Sequence, residues 1–339
     1  MGKKENSYIN VLKGIGALMV VIIHGPKTNF ISTVIVPCFL ALFFWASGYT
    51  YNYKKNYIPK LFINTLKLLL ELGTFDIIMR KVVFLLVYNS RIDIQSIMND
   101  YIGLFISIAN NPKYFDFLWF FPCMFVAKSI FHLSHLVNNK KISFIISLLC
   151  SIVGFYIWLY PQRALDYLWH LPVALFMQIV LEFGYLCKLH DNVEKKTVMD
   201  SFITALIPVL VIIFCTLILH FPMDADLHIG SFTNGYLYCL HLLVELPIVI
   251  FIAKRIDKNK IWEYMGKNSA YFFAYQIAYI ELFKGVIFKF QDDMNEFLKM
   301  IVIVPLVCMS VYLTVECRKE IVSMLSKLMK KDLSAKVIK

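Results

Sequence analysis

Charge is scarce in this chain. Only 17% of its 339 residues are Asp, Glu, Lys or Arg, against about 25% in a soluble domain. With 59% hydrophobic residues and a mean hydropathy of +0.66, that scarcity excludes an ordinary water-soluble globule. No C-x-x-C pair occurs among Cys38, Cys123, Cys150, Cys187, Cys215, Cys239, Cys308 and Cys317, and most of them fall inside apolar runs. They read as small buried hydrophobes, so neither a zinc site nor a disulfide framework is expected. A P-loop, a Rossmann glycine pattern and a nucleophile elbow are all missing, which speaks against the folds built around them. The first apolar run lacks a small-residue cleavage site and is followed at once by another long run, so it is expected to stay as a membrane helix. Without repeats, low-complexity tracts or flexible linkers, the chain reads as one integral domain, 1–317, with a basic tail, 318–339.

What the chain has in quantity is long apolar runs. A hydrocarbon core of about 30 Å takes about 20 apolar residues of helix. Ten segments meet or approach that length: 8–25, 33–52, 60–88, 115–137, 142–160, 165–187, 201–220, 231–253, 268–288 and 298–317. The expected fold is therefore all-α, a polytopic integral membrane protein with about ten transmembrane helices. The third segment is overlong and carries Glu71, Asp76, Arg80 and Lys81, so a kink or an early end is expected there. The stretch 89–114 reads as an external loop with a short interfacial helix. Aromatic residues, 16% of the total, suit lipid-facing rings and interfacial belts.

The net charge of +11 has a membrane explanation. With an even number of spans, Lys3, Lys4, Lys54, Lys55, Lys60, Lys140, Lys141, Lys188, Lys195, Lys196, Lys254, Arg255, Lys258, Lys260 and Lys267 fall in loops on the side of both termini. The tail adds seven more, from Arg318 to Lys339. The opposite loops hold only Lys27, Arg91, Lys113, Arg163 and Lys289. Lys and Arg collect in cytoplasmic loops, so both termini are expected in the cytoplasm. Membrane lipid is the expected environment, and no nucleic-acid partner is implied.

Two ionisable residues stand in the first apolar run, "YINVLKGIGALMVVIIHG" at 8–25. Eleven residues are about three helical turns, so Lys13 and His24 fall on nearly one face, roughly 16 Å apart along the axis. Gly14 and Gly16 leave one side of that helix thin, open to another backbone or a ligand. Lys13 as an interfacial snorkel and His24 as a helix-ending residue are the alternative readings. Ionisable groups at membrane depth are otherwise functional candidates.

Four motifs in order along the chain resemble the membrane-bound acyltransferase family 3, of the polysaccharide O-acetyltransferase type. Asn10, Leu12, Lys13, Gly14 and His24 stand where that family has D-x-L-R-G and, after ten intervening residues beyond the Arg, a His. "FFWASGYTY" at 43–51, with Ser47 and Gly48, is similar to F-F-x-x-S-G-[FY]. "FLWFFPCMF" at 117–125 is similar to L-W-F-L-P, and "WEYMGKNSAYFFAYQ" at 262–276 to the late G-x-N-S motif. This chain departs by having Lys13 for the Arg and Asn10 for the acid. It also has Gln276 where a His is frequent, and Lys60 and Lys67 for a paired Arg at the start of the third helix. Lysine keeps the charge and loses the planar fork that grips phosphate.

The resemblance implies transfer of an acyl group, usually acetyl, from cytosolic acyl-CoA to a hydroxyl of a cell-envelope polysaccharide or its lipid-linked precursor, in a bacterial cytoplasmic (inner) membrane. Acetyl-CoA would be a co-substrate, with no tightly bound cofactor. A hydroxyl attacks only once a base takes its proton, and histidine, with a reference pKa of about 6.5, suits that task. His24 is the expected base, a covalent acyl-His the alternative. Lys13 would meet the anionic CoA end, and Ser47, Trp119 and Asn268 are motif candidates for substrate binding. His132 and His135, three apart on one helix face, would need further ligands to hold a metal, and no metal site is expected. His170, Glu182, His241 and Glu245 lie in expected helices, and His241 and Glu245 have the spacing of a pair. Asp224, Asp226 and His228 are expected in a solvated turn. A secondary transporter or glycan flippase is the rival class, sharing high hydropathy and buried charge. Acylation of a small molecule is the third reading.

Overall fold

The computed structural model describes residues 7–26, 33–35, 37–89, 91–107, 118–159, 168–191, 196–221, 225–226, 231–232, 234–287 and 295–337. Asp224 and His228 lie outside them. Helices account for nearly all the rest: α1 (Ser7–His24), α2 (Ala41–Thr50), α3 (Tyr57–Tyr88), α4 (Ile94–Ile106), α5 (Phe120–Ser134), α6 (Lys140–Leu159), α7 (Leu171–Phe176), α8 (Gln178–Asp191), α9 (Lys196–His220), α10 (Gly235–Arg255), α11 (Lys260–Lys267), α12 (Ser269–Ile287) and α13 (Glu296–Val337). A two-residue antiparallel ladder, β1 (Ala225–Asp226) on β2 (Ser231–Phe232), joins α9 to α10. Short polar side chains start several helices by taking up otherwise unpaired backbone donors. Asp93 accepts from the amides of Gln95 and Ser96, Asn234 from those of Tyr236 and Leu237, and Asn259 from those of Ile261 and Trp262.

Among the described residues, five stretches are long and apolar enough to cross a membrane: Ser7–His24, Lys140–Leu159, Leu171–Asp191, Gly235–Arg255 and Glu296–Met324. The other expected spans are shorter or more polar. α2 has 10 residues, and α5 and Leu206–His220 are shorter apolar helices. The expected segment 165–187 is divided at Met177 into α7 and α8, with His170 left-handed (φ 52°) just before α7 instead of inside a helix. α13 runs through residue 317 without a break and carries the basic tail as helix to Val337.

α3 does not end early. Its 32 residues form one helix, because its charges find partners. Arg80 Nε bonds Asp76 Oδ2 one turn away at 2.9 Å. Lys81 reaches Asp100 on α4 at 2.7 Å, and Glu71 pairs with Arg318 on α13. A bare charge in an apolar interior costs several kcal/mol, and pairing removes most of that penalty.

Two seams of backbone on backbone hold the centre together. A Cβ added at Gly14 would sit 2.2 Å from the Trp262 carbonyl oxygen, and one at Gly266 would sit 1.7 Å from that of Asn10. Only glycine lets α1 and α11 touch this closely. α2 and α8 repeat the device, with Gly48 against the Leu181 oxygen (1.9 Å to an added Cβ) and Gly184 against that of Trp45 (2.1 Å). At one end of the bundle, Asp191 accepts hydrogen bonds from the hydroxyls of Tyr8 (3.2 Å) and Tyr49 (2.8 Å), and Lys254 Nζ lies 3.6 Å away. The start of α1 and the ends of α2, α8 and α10 therefore share one end.

Candidate functional site

The four sequence motifs converge on one aromatic floor. Phe43 of α2 packs against Gly16 of α1, where an added Cβ would approach its ring to 3.0 Å. Phe43 and Phe44 meet Phe120 of α5 edge to face, with centroids 5.6 and 5.7 Å apart. Phe120 stacks on Phe273 of α12 at 5.0 Å. Edge-to-face and offset pairs of this kind each add about 0.5–1.5 kcal/mol beyond burial. Gln276, one turn after Phe273, carries α12 to the end of α1.

His24 is exposed at that end of α1. Its Nδ1 lies 2.8 Å from the Val20 carbonyl oxygen and 3.3 Å from Gln276 Nε2. One ring nitrogen cannot donate to the first and accept from the second in the same tautomer. Gln276 is 0% exposed, and its Oε1 is buried without a hydrogen-bond partner. Exchanging O and N of that amide, a choice set by the surrounding network, removes the conflict at the ring. Nδ1–H then donates to Val20 and faces Gln276 Oε1, so Nε2 carries the lone pair. An exposed histidine whose Nδ1–H is held by the Val20 carbonyl is equipped as a general base. Lys284 Nζ stands 3.5 Å from the His24 carbonyl oxygen.

Toward the other end of α1, Lys13 is half-buried and close enough to Lys128 of α5 for their charges to repel. Lys128 lies in "FVAKSIF", three residues beyond the third motif. Lys60 and Lys67 are exposed on α3. Ser47 faces this region from α2, its hydroxyl 3.6 Å from Met124 Sδ on α5. Met124, Lys128 and His132 succeed one another at single turns of α5, the first touching Ser47 and the last the Tyr51 hydroxyl.

Trp119 and Asn268 occupy buried positions. Trp119 starts α5 and packs on His170 with centroids 4.7 Å apart. Asn268 lies at the C-terminus of α11, where its Nδ2 donates to the Tyr264 carbonyl oxygen at 2.9 Å. Eight residues of helix, about 12 Å, separate it from Gln276. His132 and His135 have separate partners. His132 Nδ1 meets the Tyr51 hydroxyl at 2.9 Å, while His135 lies between the Phe131 carbonyl oxygen (2.9 Å from Nδ1) and Glu182 (3.6 Å from Nε2). Glu182 also accepts from Ser147 at 3.1 Å. His241 and Glu245 do not pair, since His241 Nε2 turns to the Phe221 carbonyl oxygen at 3.3 Å and Glu245 Oε2 is buried without a hydrogen-bond partner.

An all-helical membrane protein with an exposed histidine at the end of a glycine-seamed helix defines the class. The comparison with protein families then places the chain: the family described as Acyltransferase domain matches residues 6–315, nearly the whole length, and the chain belongs to it. No curated protein matches significantly, and no solved structure does.

Proposed function

We propose that this acyltransferase moves an acetyl group from cytosolic acetyl-CoA to a hydroxyl of a cell-envelope polysaccharide or its lipid-linked precursor. The observation that carries the reading is His24, exposed at the end of α1 with Nδ1 held by Val20 and Gln276, in a member of an acyltransferase family. His24 Nε2 takes the acceptor hydroxyl's proton as its oxygen attacks the thioester carbonyl. The tetrahedral intermediate collapses, the carbon–sulfur bond breaks, and the CoA thiolate leaves with the proton that His24 returns. Lys13 and Lys128 meet the anionic part of the donor, and the pantetheine arm runs past Ser47 along α1 toward His24. Trp119 and Asn268 contribute through position, fixing α5 against His170 and α11 at its junction with α12. Ten spans, with both termini cytoplasmic in a bacterial inner membrane, complete the reading and bring the donor to the Lys13 end.

The test supplies membranes overproducing the protein with acetyl-CoA labelled in the acetyl group. Label in the polysaccharide or lipid-linked glycan fraction is expected. Label confined to small water-soluble products would overturn the glycan acceptor, and thioester consumption no higher than in control membranes would overturn the reaction.

A further inference from the structure

A cavity of ≈ 580 Å³ opens at the end of the bundle where α1 begins, about four turns of α5 from the aromatic floor. Rings form its walls. Tyr51, His135 and Tyr185 pack edge to face, with Tyr51–His135 centroids 5.5 Å apart and His135–Tyr185 centroids 4.9 Å apart. Tyr53 at the rim is 62% exposed, yet its ring is held stacked on His132 at 5.5 Å. His132 is backed in turn by Tyr57 at 4.7 Å. Polar groups stand between the rings. Asn138 lines the cavity, and Lys188 Nζ is fixed over it by the Tyr51 carbonyl oxygen and by Asn52 Oδ1 at 2.8 Å. Lys54, Lys55, Lys140 and Lys141 are exposed beside these lining residues in sequence.

Flat ring faces, amide edges and fixed positive charge suit a purine nucleotide. Bases stack on aromatic side chains whatever their identity, amides read their edges, and lysines meet phosphate. A neutral glycan also uses aromatic walls, but it gives no reason for lysines at the rim and for Lys13 and Lys128 deeper in. The cavity is continuous in chain terms with that pair, because His135 and Lys128 stand seven residues, about 10 Å, apart on α5.

We propose that this cavity binds the adenosine 3′-phosphate end of the acyl-CoA donor, with the purine against Tyr53 and the phosphates toward Lys188 and Lys128. The assignment rests on the acyl-CoA reading of the preceding subsection. It orders the donor along one seam: nucleotide in the cavity, pyrophosphate at Lys128 and Lys13, pantetheine past Ser47, thioester at His24.

The experiment measures acetyl transfer in nanodiscs with two donors, acetyl-CoA and S-acetylpantetheine, which lacks the nucleotide. Wild type, Tyr53→Ala and Asn138→Ala are compared. Both positions are exposed, so the variants are expected to fold, and monodisperse elution with an unchanged melting temperature checks this. Tyr53→Ala is expected to raise KM for acetyl-CoA about tenfold, while its KM for S-acetylpantetheine stays within about twofold of wild type. Adenosine 3′,5′-bisphosphate should compete with acetyl-CoA in wild type and lose about tenfold in potency in Tyr53→Ala. Equal penalties on both donors, no penalty on either, or inhibition by a neutral oligosaccharide but not by adenosine 3′,5′-bisphosphate would each overturn the cavity assignment and leave the acyl-CoA reading standing. Absence of acetyl-CoA turnover by wild type would overturn that reading and the assignment together.

Discussion

Lys13 and His24 drew attention because each places a titratable group in an apolar helix at a spacing that puts both on one face. Their neighbours were harder to see. Lys128 becomes notable only when the fold brings its charge within reach of Lys13, which no local pattern announces. Gln276 was visible as a departure from the family motif, while its contact with His24 joins positions 252 residues apart. If the two lysines serve the donor, Lys13→Ala and Lys128→Ala should each raise the KM for acetyl-CoA by roughly tenfold, the scale of a lost hydrogen bond to a charged group. The acceptor KM should move little. Lys13→Arg should keep or improve activity, since guanidinium adds a fork matched to phosphate. An unchanged donor KM in Lys13→Ala, with donor and acceptor varied separately, would leave Lys13 as an interfacial anchor. Gln276→Ala should lower kcat more than it changes either KM, because it loosens the imidazole without touching the donor's charged end.

At the scale of elements, the motif glycines hold the helices at their crossing distance. Gly266→Ala and Gly48→Ala should each cost about 1–3 kcal/mol or more, because a methyl would collide with backbone, which cannot rotate away. Gly25→Ala, whose Cβ would meet its nearest atoms at 3.4 Å, should melt close to wild type, and thermal unfolding of the three in one detergent gives the comparison. α3 offers a second test. Arg80→Ala leaves Asp76, 0% exposed, without its cation and should cost about 3–5 kcal/mol. Asp76→Ala combined with Arg80→Ala should recover part of that loss. A double variant as unstable as the sum of the singles would show that the pair does not act as a unit. The overlong, charged run at 60–88 suggested a broken helix because a single sequence shows the charges and not their partners. Asp100 and Arg318 come from other helices, and their contacts let α3 continue.

Across the whole molecule, helical class and membrane character were legible in hydropathy, since both follow from the length and apolarity of runs. The boundaries were less so. α2 is short chiefly because it begins only at Ala41, eight residues into the expected run at 33–52; it ends close to the expected limit, where Tyr51 takes extended backbone (ψ 134°). The run at 165–187 is divided at Met177, which no glycine or proline at that position signals. The grouping of the α1, α2, α8 and α10 ends around Asp191 matches the grouping of their basic loops. Reporter fusions at the C-terminal tail and in the 221–230 loop should therefore report opposite sides of the membrane, with the tail cytoplasmic, and an external tail would overturn the proposed orientation.

The central claim is that His24 accepts the proton in acyl transfer, and the most direct test is the rate of acetyl transfer by His24→Ala against wild type at matched abundance and melting temperature. A loss of about 10²–10⁴-fold in kcat is the scale for removing a general base. That loss should come with an acetyl-CoA KM within about twofold of wild type, since the donor's charged end is held some 16 Å away at Lys13. A folded His24→Ala protein that transfers acetyl at the wild-type rate would contradict it.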